Sequence, residues 1–377
     1  MSIPVHGRCD SGLEGVREAF VDNFASRGEV GAAVCIIHRG TVVVDLVGGW
    51  ADVADRRPWT ADTLVDVYSA GKAVVALAAL RQVDAGLVGL DEPLAGLWPD
   101  YAASGKGSTT LRHALSHLAG VPAIRQRLTD EDLMDWERMT GALAATEPWS
   151  EPGARLVYHT NTFGHLVGEV VRRCTGELPG AEIARLAALV DADLAVGLDA
   201  VDHRRCATVE FDSTVDPRKV DLDGLDGDAR MAATSYFNPP GYSSFGLVNT
   251  AAWRGAQVPS TNLHASASGL ARFYDGLLRP GTLVSEELLA EAVHPQASGH
   301  CPILGEEVSF GLGFQPTSER RRMGTSPTSF GHFGTGGALG FADPEHGVAF
   351  GYVMNHVIPR WQSTRNRSLI DALYRAL

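Results

Sequence analysis

Val67-Tyr68-Ser69-Ala70-Gly71-Lys72-Ala73-Val74-Val75-Ala76-Leu77 places a serine and a lysine three residues apart at the start of an apolar run that reads as a buried helix. On a helix, positions i and i+3 share a face, so the amine of Lys72 reaches the hydroxyl of Ser69. The positive potential of a helix N-terminus favours an alkoxide on Ser69 and disfavours an ammonium on Lys72. Both effects point to an activated nucleophile. The choice of lysine is informative, because the chain has only three (Lys72, Lys106 and Lys219) beside 29 arginines. Lysine can release its proton near neutral pH and arginine cannot. An ordinary capped helix with an exposed lysine would show the same spacing, so the rest of the chain has to decide.

Upstream, residues 12–27 carry apolar positions at helical spacing, and two β-rich runs, 31–37 and 41–47, are joined by His38-Arg39-Gly40 as an antiparallel hairpin. Residues 73–200 are dominated by helical patterns broken by prolines. Strand signals return at 309–315, 329–334, 338–342 and 348–354, and the chain closes with an amphipathic helix over 364–377. The expected fold is therefore α/β. An antiparallel sheet flanked by terminal helices forms a discontinuous domain from residues 1–72 and 250–377, and a mainly helical domain, 73–249, is inserted in it. Residues 202–240, rich in Asp, Gly and Arg, read as a long irregular excursion of the kind that is usually functional.

Two further segments carry candidate chemistry. Tyr158-His159-Thr160-Asn161 stands on a loop before an amphipathic helix, after Pro152-Gly153. Phe330-Gly331-His332-Phe333-Gly334-Thr335-Gly336-Gly337 is a glycine-dense strand and turn, a composition that marks close approach of another backbone or a ligand. Each alone has a bland reading, a locally bonded tyrosine and a bulged edge strand.

In this order and at these separations, the three segments resemble the serine β-lactamase and penicillin-binding superfamily over nearly the whole chain. The resemblance is strongest to its class C-like branch, which includes family VIII carboxylesterases, D-alanyl-D-alanine carboxypeptidases and related acyltransferases. Ser69 and Lys72 match the S-x-x-K motif, Tyr158 the tyrosine of Y-x-N, and His332-Phe333-Gly334 the K-T-G or H-x-G motif. Residues 86–91, 110–120 and 341–344 also look familial. The position two after Tyr158 is Thr160, with Asn161 next to it, and His332 stands in place of Lys. In β-lactamases that Asn and Lys help hold the lactam, so the replacements favour esters over lactams.

The resemblance implies a β-lactamase/transpeptidase-like fold with the site in the cleft between the two domains. It also implies a serine carboxylesterase that forms an acyl-Ser69 intermediate, with Lys72 and Tyr158 relaying the proton. The backbone N–H groups of Ser69 and Thr335 would form the oxyanion hole, and His332, Gly334 and Asn161 would bind substrate or tune the site. The partner is a small-molecule ester or acyl donor. An amine or alcohol acceptor in place of water would make the chain an acyltransferase; β-lactamase or carboxypeptidase activity, or a non-catalytic role on the same fold, are further alternatives.

Composition narrows the field independently. With 45 acidic and 32 basic residues the net charge is −13, the wrong sign for a nucleic-acid surface, and Arg320-Arg321-Arg322 is too short a cluster to change that. No run approaches the roughly 18 apolar residues of a membrane span. The start lacks a secretory signal pattern, so a cytoplasmic location is expected. Five scattered cysteines suggest reduced thiols. No cofactor is implied. His113 and His117 have i, i+4 spacing, but they lack the adjacent Glu and third ligand of a zinc site, and a structural role is preferred to a metal. Neither a P-loop nor a G-x-S-x-G elbow occurs.

Overall fold

The hairpin that opens the sheet is set by two residues with positive φ. In the computed structural model, which describes residues 3–212, 220–358 and 363–377, strands β2 (Gly31–His38) and β3 (Thr41–Asp52) meet at Arg39 (φ 50°) and Gly40 (φ 77°). Two successive left-handed residues match the right-handed twist of the strands. The turn is thus shorter than the sequence suggests, His38 pairs with Thr41, and β3 runs on to Asp52. Strand β1 (Val5–Cys9) pairs with β3 although its sequence, Val-His-Gly-Arg-Cys, carries no apolar alternation.

The other half of the sheet comes from the far end of the chain: β4 (Gln315–Pro316), β5 (Phe330–Phe333), β6 (Leu339–Asp343) and β7 (Val348–Met354). The order β1-β3-β2-β7-β6-β5-β4 is antiparallel throughout, and β2 and β7 pair from Ala32↔Met354 to His38↔Val348. Every residue of β7 is buried, and so is β2 up to Ile37, because helices cover both faces. The run expected at 309–315 divides: Glu306–Phe310 folds back on Ala297–Cys301 as a separate hairpin, and only Gln315–Pro316 joins the main sheet.

Six helices matter for the site: α1 (Glu14–Ser26), α2 (Lys72–Asp84), α3 (Thr162–Thr175), α4 (Gly227–Phe237), α5 (Ala267–Leu278) and α6 (Thr364–Ala376). Helix α5 lies against β7, where Gly340 and Gly351 face each other across the β6–β7 pair. A Cβ on Gly351 would stand 2.2 Å from the carbonyl oxygen of Ala267, so only glycine lets the helix backbone approach this closely. By strand alternation Tyr352 faces the other side, where its hydroxyl donates to Glu29 near α6. Helix α4 lies within the stretch expected to be irregular. It buries only Met231, Thr234 and Ser235, too few positions to give an amphipathic signal, and residues 213–219 of that stretch lie outside the described residues. Among the described residues no helix is long and apolar enough to cross a membrane.

Candidate active site

A small three-stranded sheet leads into the turn that carries Ser69. Val65–Asp66 pairs with His264–Ala265, which also pairs with Leu194–Ala195. The chain then leaves through Val67 into a 3-10 turn, Tyr68–Gly71, before α2 begins at Lys72. Ser69 therefore sits on a tight turn ahead of the α-helix, not inside it. Tyr68 holds a left-handed φ of 52°, and its N–H donates to the buried carboxylate of Asp66 at 2.9 Å. Asp66 also accepts from the Trp253 indole at 2.9 Å, and burial pushes its pKa up to about 7.

Lys72 is fully buried, and its Nζ donates to Ser69 Oγ at 2.9 Å and to the carbonyl of Ser260 at 3.0 Å. Both acceptors are uncharged. Burial alone drives its pKa well below the ordinary lysine value, so the amine tends to the neutral form that can take a proton. The ring of Tyr158 lies 5.2 Å from Lys72 Nζ. Burial raises the pKa of this tyrosine, opposed in part by its hydrogen bond with Ser69.

Three neighbours hold Tyr158. Its N–H donates to Cys301 Sγ at 3.3 Å, its ring stacks on Phe310 at 5.4 Å, and the His117 ring lies 4.7 Å away. His117 adopts a left-handed φ of 64°, which lets it fix the segment on both sides of Tyr158. Its carbonyl accepts from the N–H of Val157 and its Nδ1 from the N–H of His159, both at 3.1 Å. His113 instead caps a short helix with Thr110, so the two histidines serve different structures.

His332 is completely buried, 6.5 Å from the Tyr158 ring, and donates from Nδ1 to the carbonyl of Phe333 at 2.8 Å. Burial and then Lys72 push its pKa down to about 3, so it stays neutral with Nε2 unprotonated. The end of β5 presses on the turn that carries Ser69: a Cβ on Gly334 would lie 2.2 Å from the carbonyl of Val67. Thr335 follows, and it lines the same cavity as Ser69. Asn161 also reaches that cavity, but its amide is engaged, donating to the Ser235 carbonyl and Ser243 Oγ and accepting from Thr261, each at 2.8 Å.

The cavity holds about 250 Å³, and Tyr68, Phe211, Tyr236 and Phe245 give it an aromatic wall. Larger clefts open elsewhere, of about 620 and 570 Å³, yet neither is lined by Ser69, Lys72 or Tyr158. The carbonyl of Ser260, the His117 support, the Asp66 brace and the aromatic wall were all missed from sequence. A backbone carbonyl has no sequence signature; Asp66 and Tyr68 stand next to Ser69 in the chain, but nothing in their residue type announces a brace or a wall, and Phe211, Tyr236 and Phe245 lie far from the motifs. Only the 110–120 stretch hinted at His117.

Residues 16–374 match the β-lactamase family. The chain belongs to that family. It is 31% identical over 368 residues, covering 94% of this chain and 83% of the relative, to the esterase/beta-lactamase LipL of Mycobacterium tuberculosis. A family VIII carboxylesterase superposes with a TM-score of 0.91 at 33% identity over all of both chains. A penicillin-binding protein homologue from Caulobacter crescentus superposes at 0.89 and 34% identity, covering 99% of this chain and all of that one. The β-lactamase family fold accordingly accounts for the split sheet.

Proposed function

We propose that this β-lactamase family member is a serine carboxylesterase acting through an acyl-Ser69 intermediate. The observation that carries the reading is the 2.9 Å contact between Ser69 Oγ and a buried Lys72 amine whose hydrogen-bond partners are uncharged. The similarity to LipL and to the family VIII carboxylesterase supports it. Lys72 and Tyr158 act as one unit: a neutral amine beside a neutral phenol holds the same number of protons as an ammonium beside a phenolate. As Ser69 Oγ attacks the acyl carbon, its proton passes to this pair. The resulting oxyanion is bound by the N–H groups of Ser69 and Thr335. The pair then protonates the leaving alkoxide, the acyl-serine forms, and a water deprotonated by the same pair releases the acid. His332, neutral and fixed by the Phe333 carbonyl, adds no positive charge of its own beside the protonated amine.

An aromatic cavity of about 250 Å³ suits the acyl part of a small neutral ester. A β-lactam needs in addition a group to receive its carboxylate, and the buried neutral His332 is a poor one. The test compares kcat/KM for an aryl butyrate and a chromogenic cephalosporin under one set of conditions. The ester is expected to be processed at least about a hundred-fold more efficiently, the scale on which missing polar contacts discriminate. Equal or greater efficiency on the cephalosporin would overturn the esterase reading.

A further inference from the structure

Helix α6 begins in an unusual way. Its first turn carries Arg365 and Asn366, and a cation at a helix N-terminus opposes the local positive potential. Both side chains are nonetheless buried, at 1% and 0% exposure. Glu29, from the loop after α1, offsets the charge by accepting from Arg365 Nη1 at 2.8 Å. The other guanidinium nitrogen, Nη2, donates to the carbonyl of Gly336 at 2.9 Å and to that of His356 at 3.0 Å. Asn366 Nδ2 donates to the carbonyl of Gly337 at 2.9 Å. The two carbonyls of the Thr335–Gly337 turn are thus gripped by adjacent residues of one helix end.

That grip acts where the backbone is least able to hold itself. Gly336 and Gly337 adopt left-handed φ values of 83° and 111°, and glycine leaves many alternatives open. Within the turn only Gly334 N–H to Ala338 O, at 2.7 Å, and Gly337 N–H to Gly334 O, at 3.2 Å, tie the loop to itself. The fit is close: a Cβ on Gly337 would lie 2.5 Å from Ser363 Oγ, the cap of α6.

We propose that Arg365 and Asn366 are positioning residues that aim the Thr335 N–H at the developing oxyanion, so that the C-terminal helix is part of the catalytic apparatus. The proposal rests on the acyl-serine reading above for what the turn does. Neither side chain would touch substrate. Their effect would appear in the transition state, where charge reaches the oxygen, and would leave ground-state binding of the ester unchanged.

The test uses Asn366→Ala, which removes one donor and leaves the Arg365–Glu29 pair intact, beside Leu373→Ala, which opens a cavity under the same helix away from the turn. For each variant, kcat and KM on an aryl butyrate are measured together with the inhibition constant of phenylboronic acid, which forms an anionic tetrahedral adduct on a serine oxygen. Asn366→Ala is expected to lower kcat by about ten- to a hundred-fold, with KM changed by less than about two-fold, and to weaken the boronate by a similar factor. Leu373→Ala should lower the melting temperature with little effect on kcat or on the boronate. A folded Asn366→Ala enzyme with unchanged kcat and boronate affinity would overturn the proposal, and so would equal losses in Leu373→Ala. If the wild type were acylated at no serine, the acyl-serine reading itself would fall first, and the proposal with it.

Discussion

Burial fits Lys72 for the role of base that the proposed mechanism gives it. In water its amine would be protonated at neutral pH. Here its two acceptors, Ser69 Oγ and the Ser260 carbonyl, provide no counter-charge, and burial shifts the amine well toward its neutral form. The sign of the pH dependence follows. In the proposed mechanism the amine must be unprotonated, so kcat/KM should rise with pH along a limb whose midpoint lies well below the 10.5 of an ordinary lysine, and should be lost as pH falls through it. Lys72→Arg should be nearly as inactive as Lys72→Ala, because guanidinium keeps charge but does not exchange a proton near neutrality. The measurement is the pH profile of wild type and both variants on one ester. An active Lys72→Arg enzyme would show that charge alone suffices.

At the scale of elements, closeness of backbones decides where glycine is needed. Gly351 admits the N-terminal turn of α5 to the sheet, and that helix follows shortly after Ser260, the second acceptor of Lys72. Gly351→Ala places a methyl group 2.2 Å from the Ala267 carbonyl and 2.8 Å from the Ala271 nitrogen, both backbone atoms that move only with the helix. Overpacking of this kind costs about 1–3 kcal/mol, which a lowered urea midpoint would report. Unchanged stability would mean that α5 shifts freely. Strong local patterns were legible at this scale: the apolar runs of β2 and β7, and the periodic helices α1 and α6. Strand β1 and helix α4 were not, because one is held by pairing with β3 and the other buries too little apolar surface to show a period.

Across the whole molecule, the candidate site was legible where a particular side chain is called for and illegible where geometry does the work. The sequence motifs single out Ser69, Lys72 and Tyr158, and the structure brings those three together. It also shows supports outside the three motifs: the carbonyl of Ser260, His117 behind the tyrosine, and the α6 residues beneath the glycine turn. Asn161, beside the tyrosine in sequence, spends its amide on Ser235, Ser243 and Thr261, so its place in the motif says less than its bonds. The central claim is that acyl groups pass through Ser69. Its most direct test is the intact mass of the protein mixed with an activated aryl butyrate at neutral pH and quenched in acid during turnover, followed by peptide mapping. The account predicts one butyryl group, on the peptide containing Ser69, and neither adduct nor turnover in Ser69→Ala. An adduct on another residue, or a Ser69→Ala enzyme that still hydrolyses the ester, would contradict it.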